Sequence, residues 1–238
     1  MKRIISLILA AAMILSLAVT LVSCGGESLA CEYKETRNIE GRDISYVEMS
    51  IEDYGKVTIL LDATTAPITV ANFLKLVNSG FYDGLTFHRI IKDFMIQGGD
   101  PKGNGTGGSS TQIYGEFLEN GYANDMPHIK GVISMARGGN DNNSASSQFF
   151  ICNADARQSL DGKYAAFGYV VEGLEIIDEI TEDVYPKTAY ADYRNDPSID
   201  PVYGAQKHQV WAYLGNGAVE KDEDKPVIEY IKVVDYKG

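Results

Sequence analysis

The sequence is poor in cysteine, histidine, tryptophan and positive charge. Three Cys, three His and one Trp are spread over 238 residues. So few cysteines exclude a disulfide-dense scaffold. His88, His128 and His208 lack mutual ligand spacing, and no carboxylate cluster completes a metal set around them. Lys and Arg number 21 against 33 Asp and Glu, a formal charge of −12. That deficit argues against a nucleic-acid partner, whose phosphates require a basic surface. What the chain has in quantity is apolar and small residues. Hydrophobic residues make up 45%, which excludes both a disordered chain and a multi-span membrane protein. Gly occurs 24 times and Tyr 15 times against 8 Phe, a balance that fits a turn-rich β protein better than a helical bundle. The length suits one large domain or two small ones.

The single long apolar run lies at the start. Met1-Lys2-Arg3 is cationic, Ile4 to Val22 is apolar apart from Ser6, Ser16 and Thr20, and Ser23-Cys24-Gly25 follows. This is the layout of a secretory signal. Leu21-Val22-Ser23-Cys24 resembles the lipobox of bacterial lipoproteins, in which the cysteine is diacylated and becomes the new N-terminus. Two acyl chains suffice for stable anchoring. The competing readings are a retained spanning helix and a plain secretory signal. The expected division is a lipoprotein signal at 1–23, a polar tether at 24–42, and one domain at 43–238. Loss of the signal removes Lys2 and Arg3 and no carboxylate, so the remainder is more acidic still.

Within the domain, residues 44–61 alternate as strands do, with Val57, Ile59 and Leu61 on one face. Between Ala63 and Ser79, Pro67 is followed by Val70, Phe73, Leu74 and Val77 at helical spacing, closed by Asn78-Ser79-Gly80. Thr86 to Gln97 returns to strand-like residues. Short strands are expected at 132–136, 148–153, 165–171 and 227–234, and a second helix at Leu174–Ile180. Residues 183–225 carry Pro186, Pro197, Pro201 and Trp211 and break the pattern. They are too long for an ordinary connection and are expected to be an insertion or functional loop. No internal repeat occurs. Many short strands with two isolated helices indicate an antiparallel barrel.

Gly103-Asn104-Gly105-Thr106-Gly107-Gly108 matches a dinucleotide fingerprint, but no helical period follows it, and no Gly-Lys-Ser/Thr makes it a P-loop. A tight glycine loop is the simpler reading. It leaves a nucleotide-dependent oxidoreductase with no other support. Composition does not exclude a Ser-His-Asp triad, although no G-x-S-x-G elbow is present. His88 sits in an apolar run and reads as a core residue, as does Cys152 in Phe149-Phe150-Ile151-Cys152. Arg89 is the unusual residue. A guanidinium among so many apolar neighbours needs a partner or a function. On pattern alone, an ion-paired exterior arginine and a functional one are equally open.

Taken together, the motifs resemble the cyclophilin-type peptidyl-prolyl cis-trans isomerases. The resemblance rests on Phe87-His88-Arg89-Ile90-Ile91, Phe94-Met95-Ile96-Gln97-Gly98-Gly99-Asp100, Gly105-Thr106-Gly107-Gly108, Ser134-Met135-Ala136-Arg137, Ser147-Gln148-Phe149-Phe150-Ile151, Leu160-Asp161-Gly162-Lys163 and Phe167-Gly168. It spans roughly residues 44–182 and the last strand. Arg137 and Ser144-Ala145-Ser146-Ser147 look like the bacterial branch.

The resemblance implies a mainly β fold: a closed eight-stranded antiparallel barrel capped by two α-helices. It implies acceleration of X-Pro rotation in proline-containing polypeptides, with no cofactor and no metal. By motif match Arg89, Phe94 and Gln97 are catalytic. Arg89 donates to the proline nitrogen, Gln97 orients Arg89 and the substrate backbone, and Phe94, Met95, Phe150 and Leu160 receive the ring. Gln148, Tyr164 and the backbone at Ala136 and Arg137 complete the substrate site. Ser159 stands where many eukaryotic relatives carry a tryptophan that helps bind cyclosporin, so weak binding of that drug is expected. Tyr164 stands where the family often has His. The expected setting is a monomer held through a lipid on Cys24 to the extracytoplasmic face of the cell membrane, acting on exported proteins. The alternative is a catalytically weak chaperone or binding module using the 183–225 insertion.

Overall fold

The computed structural model describes residues 39–184, 217–219 and 221–237. The signal at 1–23, most of the tether and most of the insertion lie outside the described residues, and with them Cys24, Cys31 and Trp211. The strands are β1 (Ile44–Ile51), β2 (Gly55–Asp62), β3 (Arg89–Ile91), β4 (Met95–Gly98), β5 (Val132–Met135), β6 (Phe149–Cys152), β7 (Ala166–Glu172) and β8 (Ile228–Val234). The helices are α1 (Pro67–Asn78), the single turn α2 (Arg157–Leu160) and α3 (Leu174–Val184). The two long helices match the periodic segments. The turn α2 has too few residues to show a period and was not expected.

All eight strands join one antiparallel sheet in the order β3-β4-β6-β5-β7-β2-β1-β8. The expected closed barrel is corrected by this order. β3 and β8 are edges and form no ladder, so the sheet is an open half-barrel. The approach to closure comes from the segment before β3: Thr86 bridges Val227, Gly84 and Phe87 N–H donate to the carbonyls of Ile228 and Pro226, and Ile228 N–H donates to that of Leu85. Segment 217–219 covers the free edge of β3: Ile90 N–H donates to the Gly217 carbonyl at 2.8 Å, and Val219 N–H to the His88 carbonyl at 2.9 Å. The short segment thus covers an edge that β8 leaves without a ladder.

Thr86–Gln97 is not one strand but a tight hairpin. Asp93 supplies the reversal at φ 58°, a left-handed conformation that Asp tolerates better than most residues. Period two then sorts the side chains. Ile90, Ile96, Ile151 and Ile133 align across β3, β4, β6 and β5 and lie in the main core. Phe73 of α1 packs on Tyr82, Phe149 and Phe167 at ring distances of 5.0, 5.7 and 5.2 Å. Ala66, which precedes α1, provides no side-chain cap. The buried carboxylate of Glu116 does so instead, accepting from Ile68 and Thr69 N–H at 3.0 and 2.8 Å.

Candidate active site

The opposite face of the same four strands carries polar and aromatic residues in register. Arg89 is paired with Gln97, Gln97 with Phe150, and Phe150 with Ser134. The hairpin therefore brings Arg89 and Gln97 onto one face despite their separation in sequence. Arg89 Nη1 donates to Gln97 Oε1 at 3.2 Å. Gln97 Nε2 donates to Gln148 Oε1 at 2.8 Å. Gln148 Nε2 in turn donates to the carbonyls of Gly105 and Gly107 at 3.2 and 2.7 Å. Burial pushes the Arg89 guanidinium below its usual range, although the nearby Tyr164 works against that. An arginine stays protonated through such a shift.

The glycine loop ends this chain of contacts. Its N–H groups converge on the buried Asp100, which accepts from Lys102, Asn104 and Gly105 at 2.8, 3.2 and 2.6 Å. Burial opposes the charge on Asp100, but these donors and Gly107 N–H together hold its carboxyl below the ordinary range. A Cβ on Gly107 would overlap Asp100 Oδ1, so close approach explains the glycine there. The nest holds the protein's own carboxylate, and the loop opens no helix. The fingerprint match is thus a structural loop.

Beside Arg89 lies a cavity of about 380 Å³. Met95, Phe150 and Leu160 form its buried floor, with Phe94, Ala136 and Tyr164 packed against them. Tyr164 meets Phe150 edge-on at 5.8 Å. Ser159 is also on the wall, at the expected tryptophan position. Nine of the ten expected site residues line this cavity, and the tenth, Gln148, lines its neighbour. That second cavity, of about 390 Å³, lies between the glycine loop and residues 136–148. Gln97, Ala136 and Arg137 border both.

Three features escaped the sequence reading. The second cavity is built from Thr106, Ser109, Gln112, Ser144 and Ser146, small polar residues that carry no pattern. Arg137 contributes a side chain as well as the expected backbone. A Ser-His-Asp chain exists after all: His128 Nδ1 is 2.9 Å from Asp161 Oδ1, and Nε2 is 3.0 Å from Ser134 Oγ. Ser134 is fully buried, and the His128 ring stacks on Phe150 at 6.0 Å. The chain buttresses the cavity floor and is no hydrolytic triad. Burial opposes ionisation of Asp161, yet the His128 side chain and backbone hold its carboxyl below the ordinary range. Cys152 is buried as expected, and burial pushes its thiol well above the usual range. Among the described residues no group of three His, Cys, Asp or Glu side chains could hold a metal.

Known proteins share this architecture. A peptidyl-prolyl cis-trans isomerase of Schizosaccharomyces pombe is 48% identical over 123 residues, which is 51% of this chain and 76% of that protein. One from Synechococcus elongatus is 48% identical over 125 residues, covering 52% and 80%. A cyclophilin type peptidyl-prolyl cis-trans isomerase of Cryptosporidium parvum, crystallised in the presence of the dipeptide Ala-Pro, superposes with a TM-score of 0.59 at 27% identity. That match covers 80% of this chain and 99% of the other. The model of the cyclophilin type peptidyl-prolyl cis-trans isomerases matches residues 46–201, a span that contains Arg89, Gln97, Phe150 and both cavities. By its sequence, its half-barrel and its site, the chain belongs to the cyclophilin-type peptidyl-prolyl cis-trans isomerases.

Proposed function

We propose that this isomerase rotates X-Pro bonds of exported proteins by stabilising the twisted amide through Arg89. The observation that carries the reading is a half-buried guanidinium held by Gln97 on the wall of a cavity with room for a proline ring over the apolar side chains of Met95, Phe150 and Leu160. Amide resonance opposes rotation by ~18–20 kcal/mol. At the twisted state the nitrogen regains its lone pair, which a fixed cation can engage and which the planar ground state does not offer. An interaction made only at that state lowers the barrier. Phe94, Met95, Phe150 and Leu160 would desolvate the ring, and Gln97 would orient Arg89. Gln148, Tyr164 and the backbone of Ala136 and Arg137 would hold the flanking chain. No bond breaks, so the scheme calls for no nucleophile, metal or cofactor.

A protease-coupled assay on an X-Pro peptide tests the catalytic part. Wild type accelerates rotation, and Arg89→Ala lowers kcat/KM by about 10²–10³, the usual cost of removing one preorganised donor. A wild-type rate at background would instead favour the binding-module reading.

The setting is proposed from the N-terminal residues: a cationic start, an apolar run and Leu21-Val22-Ser23-Cys24. They support a chain tethered by a diacylated Cys24 on the extracytoplasmic face of the cell membrane, and we propose that it acts there as a monomer. Mass spectrometry of the mature protein should find Cys24 at the N-terminus with an added lipid. An unmodified Cys24 within a longer chain sinks the anchor.

A further inference from the structure

Arg137 stands where the two cavities meet. Its Cζ lies 5.1 Å from the Phe117 ring centre and 4.9 Å from that of Tyr164. Nε donates to the Lys163 carbonyl at 3.1 Å, and Nη1 to the Gly138 carbonyl at 3.0 Å. Arginine carries five N–H donors, so these two contacts leave others available. No carboxylate among the described residues forms an ion pair with Arg137. Arg89 and Arg137 are also the only charged residues among the described ones that line either cavity. A chain with a net charge of −12 thus keeps acids away from its substrate groove and fixes a cation within it.

We propose that Arg137 makes this isomerase selective for an acidic side chain close to the substrate proline. The inference rests on the isomerase reading of the same site and names its preferred substrate class. Two ring contacts and two carbonyls hold the guanidinium plane, so little side-chain entropy remains to be lost when a carboxylate binds. The planar fork matches a carboxylate with two parallel hydrogen bonds. The second cavity offers room for the acid, and Thr106, Ser109, Ser144 and Ser146 supply hydroxyls around it. The two cavities share Gln97, Ala136 and Arg137, so a proline ring in the first and an acid in the second come from residues close together in the substrate chain. A lysine at that position meets Arg137 with like charge and is rejected.

The test is kcat/KM for X-Pro peptides carrying Glu, Gln or Lys at each of the positions flanking proline. Wild type prefers Glu to Gln by about fivefold at one position, the scale of a partly exposed ion pair, and disfavours Lys there. In Arg137→Gln the Glu-to-Gln ratio falls to about one, whatever happens to the absolute rates. Arg137→Lys keeps the charge without the fork and gives an intermediate ratio, which preserves the test if Arg137→Gln fails to fold. A wild-type ratio near one at every position, with all peptides turned over, overturns the inference and leaves the isomerase intact. So does a preference that survives both substitutions. Absence of turnover on any peptide is a different result, and it removes the isomerase reading beneath the inference.

Discussion

Arg89 combines three demands that no other side chain meets together. It stays charged when half buried, it donates Nη1 to Gln97 at 3.2 Å, and it brings a planar fork to the cavity wall. Its neighbours were legible because motif order fixed them, yet pattern alone left Arg89 undecided between function and an exterior ion pair. The hairpin register adds what pattern lacked, by setting Arg89 against Gln97 on the cavity wall. Ser159 carries a prediction at this scale. It places a small hydroxyl on the wall of the Arg89 cavity, where the family resemblance leads one to expect an indole that grips cyclosporin. Cyclosporin should inhibit the wild type weakly, and Ser159→Trp should lower the inhibition constant about tenfold or more, since buried tryptophans are common binding hot spots. Equal inhibition of the two proteins would show that the drug reads other parts of the groove.

The elements that were easiest to read were α1, α3 and the long strands, where a period of 3.6 or two runs for at least seven residues. Some short elements hid. The break between β3 and β4 and the four-residue turn α2 show no period, whereas β5 and β6, equally short, stood out as apolar runs. The open edge was also hidden, because closure depends on segment 217–219 covering β3 from far along the chain. The pairing of β1 with β8 carries a charge cluster with a measurable consequence. Glu48 lies 3.0 Å from Lys232 and 3.2 Å from Lys56, and accepts from Tyr230 Oη at 2.9 Å. Lys232 and Tyr230, ahead of Lys56, hold the Glu48 carboxyl down to about 2, against an ordinary value of 4.5. A carboxyl depressed in the folded state stabilises the fold above its unfolded value, and that contribution fades as pH falls. Thermal unfolding should therefore show a loss of Tm between pH 4.5 and about 2 that is smaller in Glu48→Gln. Identical pH profiles for the two proteins would remove Glu48 from the acid sensitivity of the sheet edge.

At the scale of the molecule, the sheet has two working faces. One row of isoleucines points into the core, while the alternate row sets Arg89, Gln97 and Phe150 on the groove, with Ser134 buried beneath it. Composition announced a turn-rich β protein, and motif order announced the groove. Neither could show that the glycine loop supports Gln148, because that contact forms between segments distant in sequence. The loop, Gln148, Gln97 and Arg89 thus form one hydrogen-bonded unit that fixes the guanidinium before substrate arrives. Such preorganisation belongs to transition-state stabilisation more than to tight peptide binding. Exchange NMR on a saturating Ala-Pro peptide separates the two, because it reads rotation on the enzyme and affinity in the same sample. The account predicts that Arg89→Ala slows bound-state rotation about a hundredfold or more while peptide affinity changes by no more than about threefold. A variant that binds the peptide far more weakly yet rotates what it binds at the wild-type rate would contradict it.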